Sequence, residues 1–453
     1  MRRTLLLVAL ALLAAAAPAG AENRIVAPFG GGPTPLVDGD PFLASLDGPF
    51  LSGDEVVWLE RRPGVLAVVA DGPGGRRDVD ATTAEGTPEP LSFDLDVAEG
   101  RVGLTTFHFT CGGSPDCVRA RAQYPADHAA LAGPVAGPLT KLDTHCGLAS
   151  ADVAATAFLG RCLQSGGVEL HEEGQPPRTL GGDSFSPSQV AGEFVARPIK
   201  RDDGAWVGVQ VLRRPQLDEV YRVELGIDHY DLQPDGSLVY DVRGVAEVGW
   251  SSPSDPAVHR IAVPGVPFGV AGAGARLAVQ LDRRLVVVDR LGTTLADIAD
   301  PAYDSRDFDY DGTRLTWARR PCARYSFVVW DLAQPQPALA GTDCTMPGHG
   351  SGTLRVRAGR RVALTITCPQ DAPAGCAGVT ALSAYLRRRP AGRRSLRGSA
   401  AESFDLLPGE SATIGMRLRK KGLRRFRGGE VRIETTLAKN RQEQTTRRRL
   451  RLR

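Results

Sequence analysis

Sustained helical periodicity is missing from this 453-residue chain, and so are the fingerprints of the common enzyme classes. There is no G-x-S-x-G elbow: Gly350-Ser351-Gly352 lacks the spacing, and the segment after it is too small and strand-rich for a hydrolase. No P-loop, H-E-x-x-H pair or dinucleotide-binding glycine pattern occurs, so no cofactor, metal ligand or catalytic residue is assigned. C-x-x-C is absent and the seven histidines lie far apart in sequence, which weighs against zinc. Past the N-terminus no stretch approaches the roughly 20 apolar residues of a spanning helix, so the mature chain is expected not to span a membrane.

The N-terminus is a different matter. Arg2 and Arg3 precede LLLVALALLAAAA, and Ala19 and Ala21 give an A-x-A pattern. Residues 1–21 therefore read as a signal peptide, and the protein as secreted or held at the cell surface. In that setting the eight cysteines read as disulfides in four sequence-local pairs, Cys111 with Cys117, Cys146 with Cys162, Cys322 with Cys344, and Cys368 with Cys376.

The stretch RDFDYDGTRLTW, residues 306–317, places Asp307, Asp309 and Asp311 before Gly312, as an EF-hand loop begins. The twelfth position is Ala318, where the bidentate glutamate belongs, so a calcium loop is rejected. Asp311-Gly312 between two alternating segments is instead a hairpin turn. Similar hairpins turn at Gly53, Gly100, Gly236 and Gly274, with weaker copies near 150 and 189. From Gly53 to Gly312 the spacing averages about 43 residues, the period of a propeller blade. A second hairpin follows in several repeats, as in LVVVDRLGTTLADIA (285–299) and FVVWDLAQPQPALAG (327–341), which would make four strands per blade.

Trp330-Asp331 at the end of a third strand, and the QPDG and YDG turns, resemble the β-propellers of the WD40 and TolB-like type. The resemblance covers roughly residues 45–345 and implies an architecture of about seven blades within 22–345. Cys146 and Cys162 then lie across one hairpin, and Cys322 and Cys344 on one side of the last blade.

After a linker at 346–352 the charge reverses. Residues 353–453 hold 25 Lys plus Arg against 7 Asp plus Glu, whereas residues 22–352 hold 28 against 45. TLRVRAGRRVALTITC, SATIGMRLRKK, GEVRIETTLA and RRRLRLR alternate at period two, so one face can be buried while the other is basic. This segment reads as an immunoglobulin-like β-sandwich and resembles the basic modules appended to secreted actinobacterial proteins, with LTITCP and a nearby second cysteine as the shared feature.

The acidic pairs Asp202-Asp203 and Glu172-Glu173 are expected in solvated turns, His229 and His259 in structural roles, and the five tryptophans in strand packing. Arginines without interleaved aromatics exclude nucleic acid as the partner. The chain is thus expected to be an all-β protein, a seven-bladed β-propeller followed by an immunoglobulin-like β-sandwich. Its expected role is non-catalytic binding or scaffolding outside the cell, toward an extracellular protein or polysaccharide, with a basic domain suited to anionic cell-envelope polymers. The runner-up is a propeller-type hydrolase or lyase acting on glycans or lactones.

Overall fold

A computed structural model describes residues 23–27, 46–62, 65–83, 91–108, 127–162, 167–180, 188–200, 206–322, 325–339, 343–351, 353–357, 360–384, 399, 401–419, 430–437 and 443–452. Residues 1–21, read as a signal peptide, and the expected Cys111–Cys117 pair lie outside these residues. Those described are all-β, and no helix among them is long and apolar enough to cross a membrane.

Seven four-stranded antiparallel sheets follow one another along the chain. Their innermost strands are Leu46–Ser52, Leu91–Ala98, Leu148–Ala154, Gln189–Ala191, Tyr230–Leu232, Gly269–Ala273 and Tyr303–Tyr310. Each sheet begins with one of the hairpins read from the sequence. In the last, Gly312 takes φ +96° and the Asp311 carboxylate accepts the N–H groups of Thr313 and Arg314 at 2.9 and 2.6 Å. A side chain at Gly312 would be strained in that left-handed backbone, which is why the turn is Asp-Gly.

A separate apolar cluster fills the gap between each sheet and the next. Between the second and third sheets it is Ala130, Ala132, Leu148, Val153 and Phe158; between the last and the first it is Val26, Val56, Trp58, Val69, Phe327 and Val329. The alternation of apolar residues on both faces of the middle strands follows from this stacking, because each sheet is covered on two sides. This is propeller architecture.

The last sheet departs from the expectation. Ser326–Asp331 is its third strand, with Trp330-Asp331 at the end as read, but the described residues 332–339 form no strand. The outer strand is supplied by Arg24–Val26, antiparallel to Ser326–Asp331 with Ile25 opposite Val328. The start of the chain therefore completes its last sheet. Asn23 extends the join, donating to the Pro335 carbonyl and accepting from Asp331 N–H.

The C-terminal residues form eight strands. Arg361–Thr367 pairs with Ser411–Arg417, Glu430–Leu437 with both Cys376–Ala384 and Glu443–Leu452, and Leu354–Arg357 runs parallel to Glu443–Leu452. Val362, Leu364, Ile366, Leu382, Met416, Val431 and Ile433 are buried on the inner face, as the period-two pattern requires. Gly348–His349, inside the stretch read as a linker, is itself paired with the strand Arg361–Thr367. Disulfides join Cys146 to Cys162, Cys322 to Cys344 and Cys368 to Cys376. Cys322 and Cys344 pack in the same cluster as Val362, Ile366 and Met416, and Thr345 N–H donates to the Gly375 carbonyl. The second of these bridges thus links the chain just after Arg314–Arg319 to the apolar cluster of the C-terminal strands.

Candidate functional site

The inner strands carry the unusual chemistry. Each presents its side chains toward the next sheet, and five of the seven use a carboxylate. Asp47 accepts Leu95 N–H at 2.8 Å, Asp94 accepts Ala151 N–H at 2.8 Å, and Asp96 accepts Val153 N–H at 2.7 Å. Asp152 accepts Val190 N–H at 2.6 Å and Asp231 accepts Gly272 N–H at 2.6 Å. Asp309 closes the circuit from the last sheet to the first by accepting Leu51 N–H at 2.7 Å. In the fourth sheet Gln189 does the same work, accepting from Leu232 N–H and donating to the Tyr230 carbonyl. The sixth inner strand, GVAGA, has no polar side chain; there Arg276 reaches across to the Gly312 carbonyl at 3.1 Å.

These carboxyls are half-buried by exposure, yet protein surrounds them. Burial pushes Asp47, Asp96 and Asp231 up to about 7 and Asp309 up to about 6, and it raises Asp94 and, further, Asp152. The carboxyls also repel one another: Asp94 raises Asp47, and Asp96 and Asp231 both raise Asp152. Charge-assisted bonds to backbone N–H groups work in the opposite direction without prevailing.

The three alternating aspartates of residues 306–317 thus separate into distinct roles. Asp309 belongs to the ring. Asp311 caps the turn; burial opposes its ionisation, but the Arg314 and Thr313 N–H groups and the Arg314 guanidinium outweigh it and hold the carboxyl low. The side chain of Asp307 lies outside the described residues.

A second cluster joins the third sheet to the connection that enters it. Glu169, wholly buried on the strand Val168–Glu172, lies between His145 and His171. Its Oε1 is 2.6 Å from His171 Nε2, and its Oε2 is 3.6 Å from His145 Nδ1 and 3.5 Å from Cys146 Sγ. His145 N–H donates to the carboxylate at 3.1 Å. The sequence offers little sign of this group: His145 and His171 are 26 residues apart, and Glu169 belongs to no motif.

The other residues named from sequence have structural roles. Glu172 is not in a solvated turn: it ends a strand and its carboxylate pairs with Arg178 and Arg214, so burial of this acid is compensated. Asp202 and Asp203 lie outside the described residues. His229 Nδ1 is 2.7 Å from Asp241 Oδ2, a bond that raises the imidazole pKa. His259 stacks on Trp250 at 4.0 Å, with Arg290 also 4.3 Å from the Trp250 ring, so that indole has no open face for a sugar. Trp58 and Trp317 are fully buried.

Comparison with protein families and with curated proteins finds no match. Among solved structures the chain is similar to Kluyveromyces lactis Hsv2 at 7% identity, over 70% of this chain and 92% of that one, with a TM-score of 0.40. It is also similar to virginiamycin B lyase from Staphylococcus aureus (10%, over 62% and 93%, TM-score 0.39) and to the Swd1 β-propeller domain from Myceliophteria thermophila (10%, over 61% and 93%, TM-score 0.39).

Proposed function

We propose that the seven sheets are the blades of one closed propeller, that the C-terminal strands form an immunoglobulin-like sandwich, and that the whole is an exported, non-catalytic binding protein. The parallel pairing of Leu354–Arg357 with Glu443–Leu452, beside the antiparallel pairings of Glu430–Leu437, supports the sandwich reading. Against catalysis stands the use made of the channel carboxyls: each is an acceptor for the neighbouring blade's backbone, so removing any one orphans an N–H. A hydrolase or lyase reading draws on the same groups, since carboxyls protonated near neutral pH suit general acids. The cavity of about 360 Å³ lined by Thr179, Arg197, Gln210 and Glu219 contains none of these carboxyls.

The observation that carries the proposal is on the sandwich surface. Arg361 faces Arg417 directly across two strands, and both are exposed; Arg447 and Arg449 are exposed on another. Like charges directly opposite one another cost stability, and a bound polyanion relieves that cost. This supports a partner such as an anionic cell-envelope polymer. The mature chain should be retained on an anionic matrix and elute as salt rises. Arg361→Glu should elute at lower salt while unfolding at a higher temperature, because it creates an opposite-charge pair with Arg417. Elution of the wild type without salt, or unchanged retention of the variant, refutes the reading.

A further inference from the structure

The contact between Glu169 and the Cys146–Cys162 disulfide has an unusual feature. A disulfide sulfur carries no proton, so the 3.5 Å approach of Cys146 Sγ to Glu169 Oε2 is not a hydrogen bond. A fully buried carboxylate ordinarily collects donors. Here the His145 N–H is shared by both oxygens, Oε1 is also paired with His171 Nε2 at 2.6 Å, and Oε2 faces sulfur. The Cys146 and Cys162 sulfurs and a Glu169 oxygen all lie within 4.8 Å of one another. Once reduction separates them, two sulfurs beside one carboxylate oxygen, with an imidazole alongside, make the donor set of a tetrahedral zinc site.

We propose that, with its disulfide reduced, this cluster binds one Zn2+ through Cys146, Cys162 and Glu169, with His145 as the fourth ligand. His145 is suited to that position because its side chain is 66% exposed and free to turn its nitrogen toward the sulfurs, leaving an open path for the ion. His171 is a positioning residue: 11% exposed and in contact with Oε1, it holds the carboxylate so that Oε2 faces the sulfurs.

The chemistry balances as follows. A dithiol or phosphine reductant supplies two electrons, is itself oxidised, and leaves Cys146 and Cys162 as two thiols. Zn2+ then binds both as thiolates, and the two thiol protons pass to solvent. Disulfide and metal are alternatives at the same sulfurs, and either closes the hairpin Leu148–Ala154 to Ala157–Cys162 at the same end.

The test uses the full mature chain, reduced without denaturant and titrated with Co2+, which reports thiolate ligation by a charge-transfer band. The expected result is a band saturating at one cobalt per chain and abolished by Zn2+. It should be lost in the Cys146→Ser, Cys162→Ser double variant, in which the other cysteines remain. Glu169→Gln should weaken cobalt binding at least tenfold. Alkylation followed by mass mapping should find Cys146 and Cys162 labelled more slowly with Zn2+ than in the reduced metal-free chain, while labelling of Cys322, Cys344, Cys368 and Cys376, buried in either case, does not respond to the metal. Absence of the band in the reduced wild type, its survival in the double serine variant, or equal affinity in Glu169→Gln overturns the proposal.

Discussion

Replacing Asp231 by asparagine should make this protein more stable at pH 8 and nearly indifferent at pH 5. The wild-type carboxyl accepts both Gly272 N–H and Gln233 Nε2 through Oδ2, each at 2.6 Å, and an amide oxygen in that place accepts the same two donors. What changes is the charge. Burial raises the Asp231 pKa from 3.8 to about 7, so the folded state holds its proton to a higher pH than the unfolded chain. Between those values the native state binds more protons, and stability falls as pH rises. The contribution is complete below about pH 4 and is lost as pH passes about 7. A shift of roughly three units corresponds to a ceiling of about 4 kcal/mol, and the partial exposure of Asp231 reduces the expected effect to about 1–3 kcal/mol. Asp47, Asp94, Asp96, Asp152 and Asp309 act in the same direction, whereas His171 and His349, which burial lowers, oppose them as the weaker side. Thermal unfolding should therefore occur several degrees higher at pH 5 than at pH 8, and Asp231→Asn should narrow that gap by raising the pH 8 value. A wild type as stable at pH 8 as at pH 5, or a variant with an unchanged gap, refutes the reasoning.

Asp300→Ala should cost about 3–5 kcal/mol in chemical denaturation, because the buried Arg319 guanidinium would lose its carboxylate and Trp317 Nε1 its acceptor. Calorimetric titration should find no micromolar calcium site at 307–318, since Asp309 and Asp311 already serve Leu51 and the turn, and position 318 is a buried alanine. Non-reducing peptide mapping should recover the 146–162, 322–344 and 368–376 bridges, and a 111–117 bridge is expected beside them.

The hairpins were legible in the sequence because their information is local. Asp235-Gly236 and Asp311-Gly312 specify their turns within four residues, and period-two alternation on each side specifies the strands. The roles of the aspartates were not legible in the same way. Asp309 and Asp311 share one face of one alternating stretch, and only the backbone N–H of Leu51, 258 residues away, distinguishes ring from cap. The outer strand Arg24–Val26 escaped for the opposite reason: three residues are too few to display a period, and the stretch after Asp331 looked equally suitable. Glu169 was invisible as a site because a lone buried acid has no pattern; His171 is its neighbour on one strand, but His145 and Cys146 approach it only once the third sheet has folded.

The join between the two ends of the propeller also sets an order of events. Arg24–Val26 is synthesised some three hundred residues before its partner strand Ser326–Asp331. Closing so long a loop costs about 5 kcal/mol of chain entropy by the logarithmic rule, to be offset mainly by the cluster around Trp58 and Phe327. Until then the first and last sheets each expose a face that will later be core. Closure of the proposed ring is therefore a late event, and a chain cut short before residue 326 would leave Arg24–Val26 without the strand it pairs with.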